Sequence, residues 1–451
     1  MINILFIAYE FPPLNSGGVH RSLAFVKYLK LFDINPVVIT LAQESFHNVF
    51  ENYTIDEQLG KTVLSGIDVI EIASKNINSL HKSRVNNFFD IYFNIMGKEG
   101  NGWEEDFKKK LPGVVERYKP EAIFITLPPF SILKQAVWLS KLCKLPLITD
   151  FRDAWSQWRL APYGSYLHYL ATLKAERKYF KYSDAIIATS NQTLGDFKRL
   201  HTGIDKKKFH LITNGFDDEI TNWKIDLPPK ENYVIGYVGS FYYDKAATEM
   251  MLMPWRKKKF HRKLQYISVK QNWLYRSPYF FFRALRILFD KHPSYEKTLR
   301  VKFAGKKPDW LFEMIKEFRL EENIELMGVI SHSDSMRFQQ TCDALLITSS
   351  KVIGGSDYSI AGKTFEYFKI QKPIIAFVSE GAQKEILEQS GTALICDPDD
   401  SESAAENILQ LFEHKINLVP DNNFLTGLSR KKLTEKLSLV ICETINNRKY
   451  S

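Results

Sequence analysis

The chain has 451 residues, which is too many for one ordinary hydrophobic core and predicts two domains with linkers. Its composition, with 45% hydrophobic and 25% charged residues, is that of a soluble globular protein and excludes a disordered or fibrous one. No stretch reaches the roughly 18 consecutive apolar residues that would predict a membrane-spanning helix. The 4 scattered cysteines show neither metal-ligand spacing nor a disulfide framework, so we expect a cytoplasmic protein without a metal site.

The net charge of +9 is concentrated in one segment. Residues 244–274 carry most of it, because this segment has 8 lysines and arginines and only two acidic residues, Asp244 and Glu249. These cations are interleaved with apolar side chains such as Trp255 and Phe260, a pattern typical of peripheral contact with an anionic membrane surface. A solvated loop with incidental charge is the alternative. We expect no nucleic acid partner, since no nucleic-acid-binding motif accompanies the charge.

Short apolar runs alternate with helical periodicity along the chain, which predicts parallel strands joined by crossover helices. The first strand starts at the second residue, so no signal peptide is predicted. Each half is expected to form an open, doubly wound α/β sheet. The predicted strands of the first half are Ile2–Ala8, Pro36–Thr40, Asp68–Ala73, Ala122–Leu127, Pro146–Asp150, Ala185–Thr189 and Phe209–Thr213. Those of the second half are Tyr233–Gly239, Leu299–Gly305, Ile324–Met327, Ala344–Thr348, Pro373–Val378 and Thr392–Cys396.

The domain boundary is predicted between Asn214-Gly215 and Pro228-Pro229, where a turn dipeptide and a polar stretch precede a diproline. The first domain then covers residues 1–220 and the second covers residues 221–425. Residues 426–451 are expected to add a C-terminal helical segment.

The first predicted strand is followed by a loop that ends in Gly17-Gly18. In open α/β sheets, ligands bind beyond the carboxyl ends of the strands. Glycines let a ligand approach the backbone, and the start of the next helix offers free amides. A glycine turn without a ligand fits the pattern equally well. The spacing is not G-x-G-x-x-G, so it gives no support to a dinucleotide site.

A second strand end carries Asp150, Arg152, Asp153 and Trp155. Carboxylates, a guanidinium and an indole in one loop suit the hydroxyls and the apolar face of a sugar ring. An Arg–Asp ion pair that only fixes the loop is the alternative. We favour the ligand role, because strand-end loops gather functional residues.

A third strand end leads through Gly354-Gly355 into a helix that starts near Gly362. Its amides and Lys363 stand where a diphosphate could bind. Glu366, one turn later, suits a ribose diol, although Lys363 and Glu366 also fit a simple i,i+3 surface pair.

These motifs together resemble the GT-B glycosyltransferases, in particular the large retaining family called group 1 or family 4, nearly end to end. The matching runs are the Gly17-Gly18 loop, Asp150-Phe151-Arg152-Asp153-Ala154-Trp155 as a D-x-R-D-x-W variant, Asn214-Gly215-Phe216-Asp217, and Gly362-Lys363-Thr364-Phe365-Glu366-Tyr367 followed by Lys372-Pro373. The resemblance implies two Rossmann-like domains that face each other across a cleft, whose closure would exclude water from the reaction.

The resemblance also implies roles for single residues. Arg152 and Asp153 are expected at the reaction centre, and Gly17 and Gly18 at the acceptor. The donor, a nucleotide diphosphate sugar, is expected to be bound by Gly239, Ser240, Gly362, Lys363, Thr364 and Glu366. No metal ion is expected to be needed, because amides and cations can stabilise the departing diphosphate. Family membership implies retention at the anomeric carbon and a hexosyltransferase-like activity.

Two departures from the family pattern stand out. The family commonly has a first glutamate eight positions before Glu366, where this chain has Tyr358, so that carboxylate is missing unless Asp357 replaces it. About 30 residues also stand inserted after Gly239-Ser240. The insertion makes Arg276 the better match to the family's donor-phosphate cation, with Lys245 as second choice.

The expected function is transfer of a sugar to a hydroxyl acceptor in polysaccharide, lipopolysaccharide or glycolipid synthesis. The expected location is the cytoplasm, with peripheral contact at the inner face of the membrane. A sugar-nucleotide epimerase of the same fold and a non-catalytic, transferase-like subunit are the alternatives. The donor sugar, its base and the acceptor stay open.

Overall fold

The computed structural model describes residues 1–76, 94–158, 162–217 and 232–449. The chain divides into two units. The first unit comprises Met1–Asp217, Lys259–Ser268 and Ser429–Ser451, and the second comprises Asp218–Lys258 and Val269–Leu428. Most of the predicted boundary, residues 218–231, lies outside the described residues.

The first unit is built on a seven-stranded sheet in the order β3-β2-β1-β4-β5-β6-β7, and every neighbouring pair is parallel. Its strands are apolar on both faces, as expected of a parallel sheet that is covered by helices on each side. The strands are β1 (Ile2–Ala8), β2 (Ile34–Leu41), β3 (Val69–Ile72), β4 (Ala122–Leu127), β5 (Leu147–Phe151), β6 (Ala185–Ala188) and β7 (Phe209–Leu211). The predicted doubly wound α/β fold is confirmed here.

The helices of the first unit cover both faces of this sheet. In chain order they are α1 (Gly17–Leu29), α2 (Phe46–Val49), α3 (Lys61–Leu64), α4 (Glu99–Tyr118), α5 (Leu133–Cys143), α6 (Tyr166–Tyr182) and α7 (Asn191–Leu200). The last helix of the chain, Arg430–Lys449, also belongs to this unit and packs Leu437 and Ile441 into the same core as Phe25 of α1. A helix from the far end of the sequence therefore completes the first core.

The second unit has a six-stranded sheet in the order β11-β10-β8-β12-β14-β15, again with parallel pairs. Its strands are β8 (Tyr233–Val238), β10 (Leu299–Ala304), β11 (Ile324–Gly328), β12 (Ala344–Thr348), β14 (Ile374–Phe377) and β15 (Ala393–Cys396). A short antiparallel pair, β9 (Gln271–Asn272) with β13 (Lys351–Val352), was not predicted. It joins the end of the basic segment to the loop after β12.

The helices that follow β8 continue the same numbering. They are α8 (Lys245–Leu252), α9 (Tyr279–Lys291), α10 (Pro293–Thr298), α11 (Asp309–Glu317), α12 (His332–Thr341), α13 (Gly362–Ile370), α14 (Ala382–Ser390), α15 (Ser401–Phe412), α16 (Asn422–Gly427) and α17 (Arg430–Lys449). None of the helices in the described ranges combines the length and the apolar composition that a membrane-spanning helix needs.

The strand orders reverse direction at β1/β4 in the first unit and at β8/β12 in the second. At such switch points the loops that follow adjacent strands diverge and leave room for a ligand. The Gly17-Gly18 loop follows β1, and the loop leading into α13 follows β12. The topology therefore places predicted site residues at the switch point of each unit.

The basic segment 244–274 is divided between the two units. Lys245–Leu252 forms α8 in the second unit, whereas Lys259–Ser268 belongs to the first. The backbones of Tyr266 and Tyr163 exchange hydrogen bonds of 2.8 and 3.0 Å, and the Tyr266 ring lies 4.9 Å from that of Tyr166. Aromatic packing thus attaches the middle of this segment to the start of α6.

Candidate functional site

In the first unit, Gly18 and Arg152 meet at the β1/β4 switch point. A side chain at Gly18 would overlap the Arg152 guanidinium, since its Cβ would lie 1.1 Å from one terminal nitrogen. Arg152 also donates through Nε to the Leu127 carbonyl at 3.1 Å and through its other terminal nitrogen to the Pro128 carbonyl at 2.7 Å. Gly18 is therefore needed to make room for Arg152, and Gly17 has nothing within 4 Å of its own Cβ position.

Asp153 and Glu10 are the carboxylates of this first cluster. Loss of hydration among surrounding protein atoms raises the pKa of Asp153, although solvent still reaches the side chain; Arg152 opposes the shift and Glu10 adds to it. Glu10 accepts a hydrogen bond of 2.5 Å from Ser16. Sequence analysis did not single out Glu10, even though it directly follows β1. The cluster as a whole offers accessible carboxylates to a hydroxyl-bearing ligand.

Asp150, by contrast, is fully buried and belongs to a structural network. Arg21 binds its two carboxylate oxygens at 3.0 and 2.8 Å, and Thr126 donates to it at 2.9 Å. The remaining donors of Arg21 reach the carbonyls of Ile212 and Thr213. The expectation that Asp150 contributes to ligand binding is therefore wrong, because its oxygens are occupied by Arg21 and Thr126.

Trp155 is also buried, and it differs from the exposed indole that we expected under a sugar ring. Its ring stacks on Phe130 with centroids 5.0 Å apart, and its Nε1 donates to the Ile95 carbonyl at 3.0 Å. Only 4% of the residue is exposed. It still contributes to the wall of the cavity beside the cluster.

That cavity has a volume of about 540 Å³ in the first unit. Glu10 lies at its boundary, so it adjoins the first cluster. Its lining is mainly apolar and aromatic, with two acidic residues. The lining includes Glu10, Glu99, Phe130, Trp155, Trp158, Tyr163 and Thr172. Cavities of this size and character are typical of sites for small organic ligands.

In the second unit, the loops after β8 and β10 touch each other. Gly239 has φ of +101°, a conformation that favours glycine, and its amide donates to the Ala304 carbonyl at 2.7 Å. A Cβ on Gly305 would lie 2.1 Å from the Gly239 carbonyl oxygen. The close approach of these two loops thus requires glycine at position 305 as well as at position 239. Only Gly239 was predicted to be a site residue. Ser240 follows in this turn, and its carbonyl accepts a hydrogen bond of 3.2 Å from Tyr237.

Lys363 is the centre of the second cluster. Its ammonium lies 3.6 Å from the centroid of the Tyr237 ring and would be 3.2 Å from a Cβ on Gly239. Burial lowers the pKa of Lys363 to about 7; Glu366 opposes this shift and Arg276 adds to it. Among the described residues, no carboxylate lies within ion-pair distance of Lys363 or Arg276, so two cations stand together without a pairing anion.

Arg276 rather than Lys245 stands beside Lys363. Arg276 lies three residues before the first residue of α9, and its guanidinium lies 5.3 Å from the Tyr242 ring centroid. Lys245 is an exposed residue in the first turn of α8. The ranking of Arg276 above Lys245 stays a prediction, but the geometry agrees with it.

The start of α13 is open to solvent. Gly362 is exposed, nothing lies within 4 Å of its Cβ position, and no side chain caps the helix. Glu366 is half-buried and accepts a hydrogen bond of 3.3 Å from Gln339. A helix start without a capping side chain leaves amide donors for an anion.

Thr364 has a different place from the one predicted. It is fully buried, and its hydroxyl donates to Gln383 Oε1 at 3.1 Å. The same oxygen accepts the Ala361 amide at 2.8 Å. Thr364 is expected to bind the donor, but its hydroxyl is not available for this, because it fastens the helix start to α14. Gln383, which sequence analysis missed, holds this turn in place.

Asp357 does not supply the carboxylate missing at Tyr358. It is 1% exposed and accepts hydrogen bonds from the Ser350 hydroxyl at 2.7 Å and the Ser359 hydroxyl at 2.8 Å. Its carboxylate therefore shapes the loop before α13. Of the described residues, no group of three or more His, Cys, Asp or Glu side chains could hold a metal ion.

Two family models match the chain in sequence. The one described as Glycosyltransferase Family 4 matches residues 65–220, and the one described as Glycosyl transferases group 1 matches residues 255–422. The first range contains Arg152 and Asp153, and the second contains Arg276, Lys363 and Glu366. A comparison with curated protein sequences gives no match.

Solved structures of similar fold cover nearly the whole chain. Sucrose-phosphate synthase from Thermosynechococcus elongatus has a TM-score of 0.58 at 12% identity, over 99% of this chain and 100% of the other. The lipopolysaccharide outer core galactosyltransferase WaaB in its apo form has a TM-score of 0.57 at 12% identity, over 98% and 99%. The N-terminal domain of Candida albicans trehalose-6-phosphate phosphatase has a TM-score of 0.58 at 12% identity, over 98% and 96%. At these identities the likeness concerns the fold.

Proposed function

Because the chain belongs to the group 1 glycosyltransferases of GT-B fold, we propose that it moves a sugar from a nucleotide diphosphate sugar to a hydroxyl group. The acceptor is a saccharide or a lipid-linked saccharide, and the product serves cell-surface polysaccharide, lipopolysaccharide or glycolipid synthesis. The observation that carries the donor assignment is the second cluster, where Lys363 and Arg276 stand together at an open helix start.

Two cations that have no ion-pair partner within the described part of the chain, beside a helix N-terminus, suit a diphosphate better than any neutral ligand. When the bond between the anomeric carbon and the phosphate oxygen breaks, negative charge grows on the diphosphate. Lys363, Arg276 and the amides near Gly362 would stabilise that charge in place. Transfer by this route needs no metal ion, since the protein itself supplies the positive charge. Glu366 would bind the ribose hydroxyls one turn further along α13.

The first cluster is proposed to hold the acceptor. Asp153 and Glu10 are accessible carboxylates, and the raised pKa of Asp153 suits a group that takes a proton from the attacking hydroxyl. Arg152 donates to two carbonyls and packs closely against Gly18, so its part is to position Asp153 and the loop. The aromatic cavity beside Glu10 would accept the apolar part of the acceptor.

A second candidate function is a transferase-like subunit that binds the donor without catalysis. One observation favours it: Tyr358 stands where the family commonly has glutamate, and the Asp357 carboxylate is engaged by two serines. We place transfer first, because both clusters retain the residues that the reaction would use. Donor binding without turnover across a panel of hydroxyl acceptors would favour the second candidate.

The basic segment 244–274 is proposed to contact an anionic membrane surface at its cytoplasmic side, where a lipid-linked acceptor would be found. The excess of cations in this segment and its exposed side chains, Trp255 and Phe260, support this contact.

Glu366→Ala tests the donor assignment. We expect UDP, GDP or ADP, whichever the wild type binds, to bind at least about tenfold more weakly, because a carboxylate hydrogen bond to the ribose is lost. Pyrophosphate should bind both proteins equally, since it lacks a ribose. Isothermal titration calorimetry measures both, with Glu313→Ala, an exposed glutamate of α11, as the control. Unchanged nucleotide affinity in Glu366→Ala would remove the ribose assignment.

A further inference from the structure

We propose that the solvent face of α6 and the segment Lys259–Ser268 together form one docking face for an anionic lipid surface, which delivers a lipid-linked acceptor to the adjoining cavity. The inference rests on the proposed function and makes the acceptor class specific. It also differs from the sequence-based expectation, because it moves the contact from the basic segment as a whole to one part of it and adds a helix that the sequence did not single out.

The solvent face of α6 is apolar at its start and basic toward its end. Tyr166, Leu167 and Leu170 are exposed in the first two turns, and Leu167 is 75% exposed. Spacings of three and four residues then continue the same stripe. It is completed by the exposed cations Lys174, Arg177, Lys178 and Lys181. The single acidic residue of the helix, Glu176, is buried.

Glu176 points into the first unit rather than to solvent. It accepts hydrogen bonds from the Ser156 amide at 3.1 Å and hydroxyl at 2.5 Å, and it pairs with His201 at 2.7 Å. The helix is thus anchored on its buried side by a polar network. Its outer face carries no acidic side chain, so the helix itself supplies no negative charge to that face.

The segment Lys259–Ser268 extends this face with side chains of the same two kinds. Phe260 is 89% and Leu264 is 70% exposed, and the segment contains Lys259, Arg262 and Lys263 but no acidic residue. Tyr266 joins it to α6, because its ring lies 4.9 Å from the rings of both Tyr166 and Tyr169. The apolar side chains of the segment and of the start of α6 therefore belong to neighbouring parts of one unit.

Exposed leucine and phenylalanine side chains interleaved with cations fit a lipid interface. The apolar side chains enter the boundary between headgroups and acyl chains, and the cations meet anionic headgroups. A nucleic acid would use the cations but gives no favourable place to aliphatic side chains such as Leu167 and Leu264. Charge and apolar exposure together therefore select an anionic lipid surface.

The helix that carries the docking face also borders the proposed acceptor cavity. Thr172 lies on α6 and Tyr163 lies three residues before the start of α6, and both line the cavity of about 540 Å³. The buried side of one helix thus contributes to the cavity wall while its outer side carries the docking face. The helix that would contact the bilayer therefore also contributes to the wall of the cavity that we propose for the acceptor.

Vesicle flotation tests the docking face without donor or acceptor. The probes are phosphatidylcholine vesicles with and without phosphatidylglycerol, at low and high salt. An apolar variant (Leu167→Gln, Leu170→Gln, Leu264→Gln) and a charge variant (Lys174→Gln, Lys178→Gln, Lys259→Gln) should each bind anionic vesicles at least about tenfold more weakly than the wild type. Neutral vesicles should bind little of any protein.

Matched controls come from the same unit. Leu31→Gln with Leu142→Gln removes exposed leucines elsewhere, and Lys206→Gln with Lys207→Gln removes exposed lysines, and both should bind like the wild type. Equal vesicle binding by the apolar variant and the wild type would overturn the proposal. This holds even if the charge variant loses binding, because a site for a polyanion would depend on the cations alone. Loss of self-association in the apolar variant, with no vesicle binding by the wild type, would assign the face to a second copy.

Hydrogen exchange of the wild type on anionic vesicles gives a second measurement that needs no variant. Residues 166–182 and 259–268 should gain protection, and residues 205–211 should not; the absence of protection at the first two would overturn the docking face. Nucleotide binding is measured separately in the absence of vesicles. A chain that binds nucleotide but no vesicle contradicts the docking face alone, and one that binds vesicles but no nucleotide contradicts the donor site alone.

Discussion

The strand ends of the two units carry their charges in opposite ways. In the first unit, Arg21 and Arg152 are bound by protein oxygens, and the carboxylates of Glu10 and Asp153 stay accessible. In the second unit, the Asp357 carboxylate accepts hydrogen bonds from two serine hydroxyls, and the Lys363 ammonium lies against the Tyr237 ring and the Gly239 backbone. One unit thus leaves carboxylates accessible, and the other leaves a lysine ammonium partly accessible at a helix start.

This difference separates charged residues that are bound within the fold from those that we propose to contact substrate. In each unit, charges of one sign are bound by protein groups, and charges of the other sign stay available. The Lys363 ammonium shows the consequence most clearly, because burial lowers its pKa to about 7. A group kept in a costly environment without a pairing anion is typical of a binding site rather than of a structural contact.

Asp150→Asn should have the largest effect on stability. It leaves the buried Arg21 guanidinium without its charged partner, so we expect the free energy of unfolding of the first unit to fall by about 3–5 kcal/mol. Denaturant unfolding followed by tryptophan fluorescence measures it. Glu104→Gln, which breaks a solvent-exposed pair with Lys108 in the same unit, should cost less than about 1 kcal/mol. Nucleotide binding should survive in Asp150→Asn, and equal costs in the two variants would contradict the structural role of Asp150.

Gly18→Ala should have a smaller effect, on activity rather than on folding. Its methyl group would displace the flexible end of Arg152 and disturb Asp153, so we expect kcat to fall by about 10-fold to 100-fold with little change in the unfolding temperature. Gly17→Ala is the matched control, since nothing lies near its Cβ position. Steady-state kinetics of both variants provides the measurement. Similar kcat values in the two would mean that Arg152 does not position the reaction centre.

The strands of both sheets could be predicted because parallel strands buried on both faces appear as short apolar runs. Ile2–Ala8, Ala122–Leu127 and Ala344–Thr348 agree with the structure to the residue. The pair β9·β13 could not be predicted in this way, since two-residue strands have no periodicity. The GT-B fold and the glycosyltransferase class, expected from four ordered motifs, are confirmed by the family models and by the structural likenesses.

Contacts between residues distant in sequence explain what the sequence could not show. In the sequence, Arg21 is an ordinary cation of an amphipathic helix. Only the folded structure shows that it binds Asp150, at the end of β5. The last helix has an apolar stripe, but its partner, the core that contains Phe25, lies some 400 residues earlier in the chain. Thr364 sits in a recognisable motif, and only the fold shows that Gln383 takes its hydroxyl. Individual catalytic and binding roles stay predictions.

The pH dependence of donor binding tests most directly whether the Lys363 ammonium binds the diphosphate. A nucleotide sugar such as UDP-glucose or GDP-mannose is the suitable probe, because its diphosphate has no second proton to lose near neutral pH. Lys363 is protonated below a pKa of about 7, and bound anion should raise that pKa. Affinity should therefore be highest below pH 7 and fall by up to about tenfold per pH unit above it, until the pKa of the bound state is reached.

Calorimetric titrations from acidic to alkaline pH, on the wild type, Lys363→Met and Lys245→Met, complete this measurement. We expect Lys245→Met to follow the wild type. Lys363→Met should bind at least about 30-fold more weakly at pH 6, in line with loss of a buried charged contact, and should show no such fall with pH. Wild-type affinity that does not change across this range, or an Lys363→Met variant that binds the nucleotide sugar as tightly as the wild type, would contradict the donor site.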